Sequence, residues 1–135
     1  MKKFFSTKYS DTAFNFSMLV LRLGLGITMI PHGYDKLVHF ASYKSKFINF
    51  IGLGSTVSLT LVIFAEFFCS TLLVLGLFTR FAGLCLVIAM SVALFKAHHG
   101  DIFGDGEHAG IFLAGFIVLL LVGPGKASMD KLIFK

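Results

Sequence analysis

Six polar side chains lie where long apolar segments of this sequence begin or end, and all six types bind ligands or exchange protons. Four of them are histidines, out of the five in the chain. Imidazole and ammonium groups donate hydrogen bonds to a carbonyl ligand, and a carboxylate accepts them. Because consecutive apolar segments run antiparallel, we expect all six side chains at one face of the protein. They are His32, Lys36, His98, His99, Glu107 and His108.

Three interpretations of this group are possible. A metal site requires ligands at fixed geometry, and neither HxxxH nor HExxH spacing is present, so we predict none. A quinone headgroup site requires a His or Lys donor beside an apolar cleft, which the neighbouring segments can supply. The third interpretation is a solvated loop whose polar residues only cap helices. The residue types leave the last two open.

Arg22 and Glu66 lie inside two apolar segments. A charge at the centre of a membrane span costs about 2.5–3.5 kcal/mol on insertion scales, so such residues usually face the protein interior and find partners. At a rise of 1.5 Å per residue, Arg22 lies about 13 Å from the cytoplasmic edge of the hydrocarbon, and Glu66 lies about 13 Å from the outer edge. Because the hydrocarbon is about 30 Å thick, their levels differ by only a few ångströms. We therefore predict an Arg22–Glu66 ion pair. The pair could serve only to fix the register of the two helices, or it could form the polar base of a ligand or proton site.

The composition indicates a membrane protein. Among 135 residues, 56% are hydrophobic and 14% are charged, with a mean hydropathy of +0.87. A small soluble domain could not bury that much apolar surface. The net charge of +5 does not indicate nucleic-acid binding, because most lysines flank apolar segments, where they suit phospholipid headgroups.

The apolar pattern predicts an all-α, integral membrane four-helix antiparallel bundle, formed by residues 1–135 as a single domain. Lipid-exposed backbone must satisfy its own hydrogen bonds, so each span has to be helical. Residues 33–56 form the longest connector, and their apolar positions recur at helical spacing, which predicts an amphipathic interfacial helix in the first outer loop. The same segment could equally cap the bundle. Its apolar positions are Leu37, Phe40, Ala41, Phe47, Ile48 and Ile51. The expected spans are residues 13–32, 57–78, 81–97 and 109–123.

The positive charges predict that both termini are cytoplasmic. With that orientation, the cytoplasmic side carries Lys2, Lys3, Lys8, Arg80, Lys126, Lys131 and Lys135. The opposite side then carries Lys36, Lys44, Lys46 and Lys96. Seven against four favours this orientation. Cys69 and Cys85 lie inside apolar segments without a CxxC motif, and we interpret them as small buried hydrophobic residues, although a redox role stays open.

The order and spacing of several motifs resemble the DoxX family of small four-helix membrane proteins, over about residues 17–132. The resemblance rests on Arg22 with Gly26, His32-Gly33-x-x-Lys36, Glu66, residues 75–80, residues 90–97 leading into His98, Glu107, and Gly123-Pro124-Gly125-x-x-Ser128-x-Asp130. It implies a location in the bacterial inner membrane and work in membrane redox chemistry or assembly. The polar residues of this sequence that the resemblance marks as of functional interest are Arg22, His32, Lys36, Glu66, Arg80, His98 and Glu107.

We therefore expect an accessory or quinone-interacting component of a membrane redox system. The alternative is a non-catalytic subunit or assembly factor of a larger membrane protein complex. Either function implies the lipid bilayer, other membrane proteins or further copies of the chain as partners, and no nucleic acid. No covalently bound cofactor is expected, and a quinone is the candidate ligand. Whether the chain catalyses a reaction stays open.

Overall fold

The computed structural model describes all 135 residues, and it contains helices and no strands. Four long helices are joined by turns and loops, and two short helices accompany them. We label them α1 (Asp11–Val38), α2 (Phe40–Tyr43), α3 (Ser55–Leu75), α4 (Thr79–Ala97), α5 (Glu107–Val122) and α6 (Met129–Ile133). Helix α1 packs on α3, α3 on α4 and α4 on α5, and α5 returns to α1. The predicted all-α bundle is confirmed.

Three of these helices, α1, α3 and α4, are long and apolar enough to cross a membrane. Helix α5 is also apolar but has only 16 residues. Between the helices lies a core of methionine, leucine and alanine side chains together with one fully buried phenylalanine. It includes Met18, Met29, Leu73, Leu86, Phe116 and Leu119.

Glycines set the closest contacts between α1 and α3. A side chain at Gly26 would clash with Val74, and one at Gly33 would lie 2.5 Å from the backbone nitrogen of Phe67. Small residues let two helix backbones approach closely in lipid, where hydrophobic burial does not drive helix association. As α1 proceeds from Gly26 to Gly33, its partners on α3 run backward from Val74 to Phe67, so the two helices are antiparallel.

Helix α1 is longer than predicted. It begins at the Ser10 cap, whose hydroxyl accepts a hydrogen bond from the Ala13 amide at 3.1 Å. The helix continues through Pro31 to Val38, six residues beyond the expected end of the first span at His32. Proline removes one backbone donor, but the following turn is held by the contact of Gly33 with α3. The other predicted ends fall within three residues of the observed ones.

The connector between α1 and α3 differs from the predicted amphipathic helix. Only the four residues of α2 are helical there. Three residues near its end, Ile51, Gly52 and Gly54, have positive φ, a backbone conformation that ends a right-handed helix. The Tyr43 hydroxyl donates a hydrogen bond to Asp35 at 2.8 Å, and this bond raises the pKa of Tyr43. The connector thereby folds back over the end of the bundle.

Two long helices contain a wider, π-helical stretch. In α3 it covers Phe64–Cys69 and includes Glu66. In α4 it covers Ala93–Ala97, and the His98 amide bonds to the Ala93 carbonyl at 3.1 Å. Such stretches frequently mark functional sites, since they re-aim side chains out of the regular helical pattern. Both lie next to the cavity described below.

Candidate functional site

Lys36 and Glu66 form a partly buried ion pair between α1 and α3. The Lys36 Nζ atom lies 2.6 Å from Glu66 Oε2, and the two side chains are 21% and 7% exposed. The lysine also approaches the His32 carbonyl at 3.4 Å. A charge-assisted hydrogen bond of this length is among the stronger polar contacts in proteins. The pair supplies a donor and an acceptor in a largely apolar surrounding.

The predicted Arg22–Glu66 ion pair is wrong. Side chains in a helix point toward its N-terminus. Gly33, eleven residues after Arg22, lies against Glu66, whereas the Arg22 guanidinium lies against Gly76, so the two charges are separated by about 16 Å along the helix pair. Lys36 lies one turn beyond Gly33, and its side chain leans back along α1 to Glu66.

Arg22 is instead bound at the opposite end. Its guanidinium donates hydrogen bonds to the carbonyls of Pro124, at 2.9 Å, and Ala127, at 2.8 Å. The side chain is buried, with a residue exposure of 3%. Arg22 therefore ties the segment after α5 to the bundle and takes no part in the Lys36–Glu66 site.

The Lys36–Glu66 pair lines a cavity of about 280 Å³. Of its 16 lining residues, 11 are hydrophobic, and they come from α1, α3, α4, α5 and the connector. The polar lining residues are His32, Lys36, Glu66, His98 and His108. Ligand sites commonly combine such an apolar wall with a few convergent polar groups. The cavity therefore offers a small molecule an apolar wall with hydrogen-bond donors and acceptors on one part of it.

The histidines reach the cavity from three different helices or helix ends. His32 lies on α1 and contacts the ring of Phe112 edge to face, with centroids 6.1 Å apart. His98 follows the π-helical end of α4, and His108 lies in the first turn of α5. Imidazole nitrogens can donate or accept hydrogen bonds according to their tautomer. Together with Lys36 and Glu66, they offer both kinds of contact to a bound molecule.

The structure separates the eight predicted ligand-binding residues into two groups. Five line the cavity, as given above, and three do not. Arg22 lies at the opposite end, His99 is exposed, and Glu107 borders a different groove on α5. Arg80, which the family resemblance added, is exposed beside Pro124 and Asp130 at the end opposite the cavity.

Sequence reasoning missed the apolar half of the cavity. Phe47 and Ile48 of the connector cover it, and Met29 and Met90 form part of its wall. The helical spacing of Phe47 and Ile48 marked them as buried on one side, but no signal told which surface they meet. The pairing of Lys36 with Glu66 follows from the register that the close contact of Gly33 with α3 sets, and the membrane-depth argument did not contain that register.

A second polar cluster holds the opposite end of the bundle together. The Asp130 carboxylate accepts hydrogen bonds from the amides of Phe78, at 2.6 Å, and Thr79, at 2.8 Å, which begin α4. The Asp130 amide bonds in turn to the Gly76 carbonyl at 2.8 Å. With the Arg22 contacts, this cluster fastens the C-terminal segment to the turn between α3 and α4.

Long apolar helices with inward-facing ionic groups define this chain as an integral membrane protein. The family model described as DoxX matches residues 17–99, which is more than half of the chain. The chain belongs to the DoxX family, as the motifs predicted. No solved structure matches it.

Curated relatives are similar over most of their length. One uncharacterized protein of Haemophilus influenzae is 30% identical over 125 residues, covering 85% of this chain and 89% of the relative. Another from the same organism is 28% identical, with coverages of 88% and 84%. The inner membrane protein YqjF of Escherichia coli is 27% identical, with coverages of 87% and 92%. These relatives and the apolar helices support the predicted inner-membrane location.

Proposed function

We propose that this DoxX protein binds a quinone in the cavity beside the Lys36–Glu66 pair, as an accessory component of a membrane redox system. The observation that carries the proposal is an ionic donor–acceptor pair, 2.6 Å long, in the wall of a mostly apolar cavity. A quinone ring is flat and apolar, and its two carbonyl oxygens accept hydrogen bonds. The cavity supplies both requirements.

Both redox forms of the ligand find partners in this cavity. The ammonium group of Lys36 and the N–H groups of the lining histidines donate to quinone carbonyls. The Glu66 carboxylate accepts from the hydroxyl groups of the reduced form. Hydrogen bonds at Glu66 are strengthened by its burial, because the carboxylate is only 7% exposed and the local dielectric constant is low.

The proposal is tested with purified protein and a dimethoxy-methyl-benzoquinone that lacks a tail, with binding measured by equilibrium ultrafiltration. Lys36→Met and His98→Asn should each weaken binding by about tenfold, which corresponds to the loss of about 1.4 kcal/mol. The matched controls are Lys96→Met and His99→Asn, which alter exposed neighbours that do not line the cavity. Equal binding by all four variants and the parent protein would refute the proposal.

We further propose four membrane crossings, with both termini in the cytoplasm and the cavity near the outer surface. The excess of Lys and Arg at the Arg22–Asp130 end supports this orientation. Single cysteines at Asp105 and Lys126, in a background without Cys69 and Cys85, can be labelled with an impermeant maleimide. Asp105→Cys should react in intact spheroplasts and Lys126→Cys only after lysis. The reverse pattern would invert the topology.

An interaction with another membrane protein is the second candidate function. A groove of about 580 Å³ runs along α5 beside Gly110 and Ala114. Phe103, which also lines this groove, is 93% exposed. Small residues permit a further helix to approach closely. Co-purification in mild detergent tests this function. A stoichiometric partner that is lost in Ala114→Phe supports it. Purification of this protein alone, with no partner in the parent or the variant, argues against it.

A further inference from the structure

A second space adjoins the polar cavity between α3 and α4. It has a volume of about 230 Å³, and 11 of its 12 lining residues are hydrophobic. The two spaces adjoin, because five residues line both of them: Phe47, Ile48, Val62, Ala89 and Val92. We call this second space the apolar groove.

The apolar groove offers no free polar group to an occupant. Ser58 is its one hydroxyl-bearing residue, and that hydroxyl is already engaged. It donates to the Gly54 carbonyl at 2.6 Å and accepts from the Phe50 amide at 2.9 Å. The rest of the wall consists of aliphatic and aromatic side chains and Cys85. A hydrocarbon chain suits this wall, because it brings no polar group that would lose its hydrogen bonds.

The groove also reaches the surface that faces lipid. Leu61, Phe64 and Ile88 line it, and each is between 42% and 49% exposed. An occupant can therefore extend from the polar cavity through the groove into the hydrocarbon of the bilayer. Such a path requires no passage of an apolar chain through water.

We infer that the apolar groove holds the hydrocarbon tail of a long-chain quinone whose ring occupies the polar cavity. This inference rests on the proposed function and adds the substrate class, a quinone with a polyprenyl or alkyl chain. It also adds the route of entry, which is lateral, between α3 and α4 and beneath Phe47 and Ile48. The connector thereby covers the junction between the ring and the tail.

A different groove, between α1 and α5, also meets the cavity but suits a tail less well. It shares only His32, His108 and Phe112 with the polar cavity. A tail that left by this route would lie against the two imidazoles and obstruct their access to the ring. The α1–α5 groove therefore supplies the matched control for the apolar groove.

Photo-crosslinking locates the tail directly. The probe is a dimethoxy-methyl-benzoquinone with a decyl chain that carries a diazirine at its end, incorporated with the protein into phospholipid vesicles. Mass spectrometry of peptides should find the label on Leu61, Phe64 or Ile88. An excess of the unlabelled quinone without a tail should reduce that labelling, because the ring anchors the same molecule. Labelling of Val20 or Leu25 instead would overturn the lateral route through α3 and α4.

Filling each groove provides the variant test. Ile88→Trp should weaken binding of the decyl quinone by about tenfold, or about 1.4 kcal/mol, and leave the tail-less quinone unaffected. The control, Val20→Trp, alters a comparably exposed aliphatic residue in the α1–α5 groove and should change neither affinity. Equal binding of the decyl quinone by both variants would overturn the inference.

The same experiments separate this inference from the proposed function. If the tail-less quinone fails to bind and to reduce crosslinking, the quinone function itself fails. If it binds and depends on Lys36 but the tail label lies elsewhere, only the groove assignment fails. A diazirine on a phospholipid acyl chain that labels Ile88 equally with and without quinone would identify a bound lipid as the occupant and overturn the inference.

Discussion

Gly33 of α1 lies directly against the backbone of Phe67 in α3, where even one added carbon would come within 2.5 Å of the Phe67 nitrogen. This contact occurs one turn before Lys36 and beside Glu66. Because backbone cannot move aside as a side chain can, the spacing of the two helices depends on this glycine. The geometry of the Lys36–Glu66 pair depends on it in turn.

Gly33→Ala should therefore destabilise the protein by about 1–3 kcal/mol, the usual cost of overpacking a core. The measurement is unfolding in mixed detergent micelles followed by circular dichroism. Gly24→Ala is the matched control, because it lies in the same helix and has open space around the added carbon. There, alanine should be neutral or stabilise the helix by about 0.5–1 kcal/mol. Equal effects at the two glycines would contradict the close contact.

The ion pair itself predicts strong coupling between its partners. Lys36→Met leaves a buried carboxylate without its counterion, and breaking such a pair costs about 3 kcal/mol or more. The double variant with Glu66→Gln removes both charges and should recover much of that loss. A double-mutant cycle of unfolding free energies measures the coupling. Additive effects of the two substitutions would show that the residues act separately.

The pairing of these charges marks the limit of sequence analysis for this chain. The apolar segments and their order predicted the bundle, because lipid permits only helices there. The polar residues at the helix ends predicted most of the polar part of the cavity, since the ends of antiparallel helices meet. The partner of Glu66 depends on the register of α1 against α3, which places Gly33, and not Arg22, at the level of Glu66. Lys36 was therefore assigned to a surface group, and Arg22 to the wrong partner.

The connector shows a second limit, which is physical in origin. Helical spacing of apolar residues such as Phe47 and Ile48 indicated one buried face, and both residues do line the cavity. The chain around them is nonetheless mostly non-helical, since short isolated helices gain little stability without tertiary packing. Periodicity included two residues that line the cavity, Phe47 and Ile48, but Ile51 of the same pattern is 73% exposed, and the backbone is not the helix that the pattern predicts.

At the opposite end, Asp130 should stabilise the start of α4 as a helix cap supplied from a distant segment. Its carboxylate accepts from two amides, of Phe78 and Thr79. Asp130→Ala should therefore reduce the unfolding free energy by about 1–2 kcal/mol. Asp105→Ala, an exposed carboxylate in the loop before α5, is the control and should have little effect. A loss no larger than in the control would argue against the cap.

Arg22 should decide whether the C-terminal segment stays docked on the bundle. Its guanidinium bonds to two carbonyls, those of Pro124 and Ala127, and it is buried against Gly76. Arg22→Met removes both hydrogen bonds, whereas Arg22→Lys keeps the charge but lacks the planar fork that reaches two acceptors at once. We therefore expect release of the segment in the methionine variant and partial release in the lysine variant.

Limited trypsin digestion of the protein in detergent measures this release, because Lys126 lies within the docked segment and Lys131 shortly after it. Cleavage there should be about tenfold faster in Arg22→Met than in the parent protein, in line with the loss of about 1.4 kcal/mol of docking free energy. Arg80→Met removes an exposed arginine at the same end and should leave the rate unchanged. Quinone binding should also persist in Arg22→Met, since the cavity lies at the other end. Parent-like cleavage in Arg22→Met would mean that the segment is held by Asp130 alone.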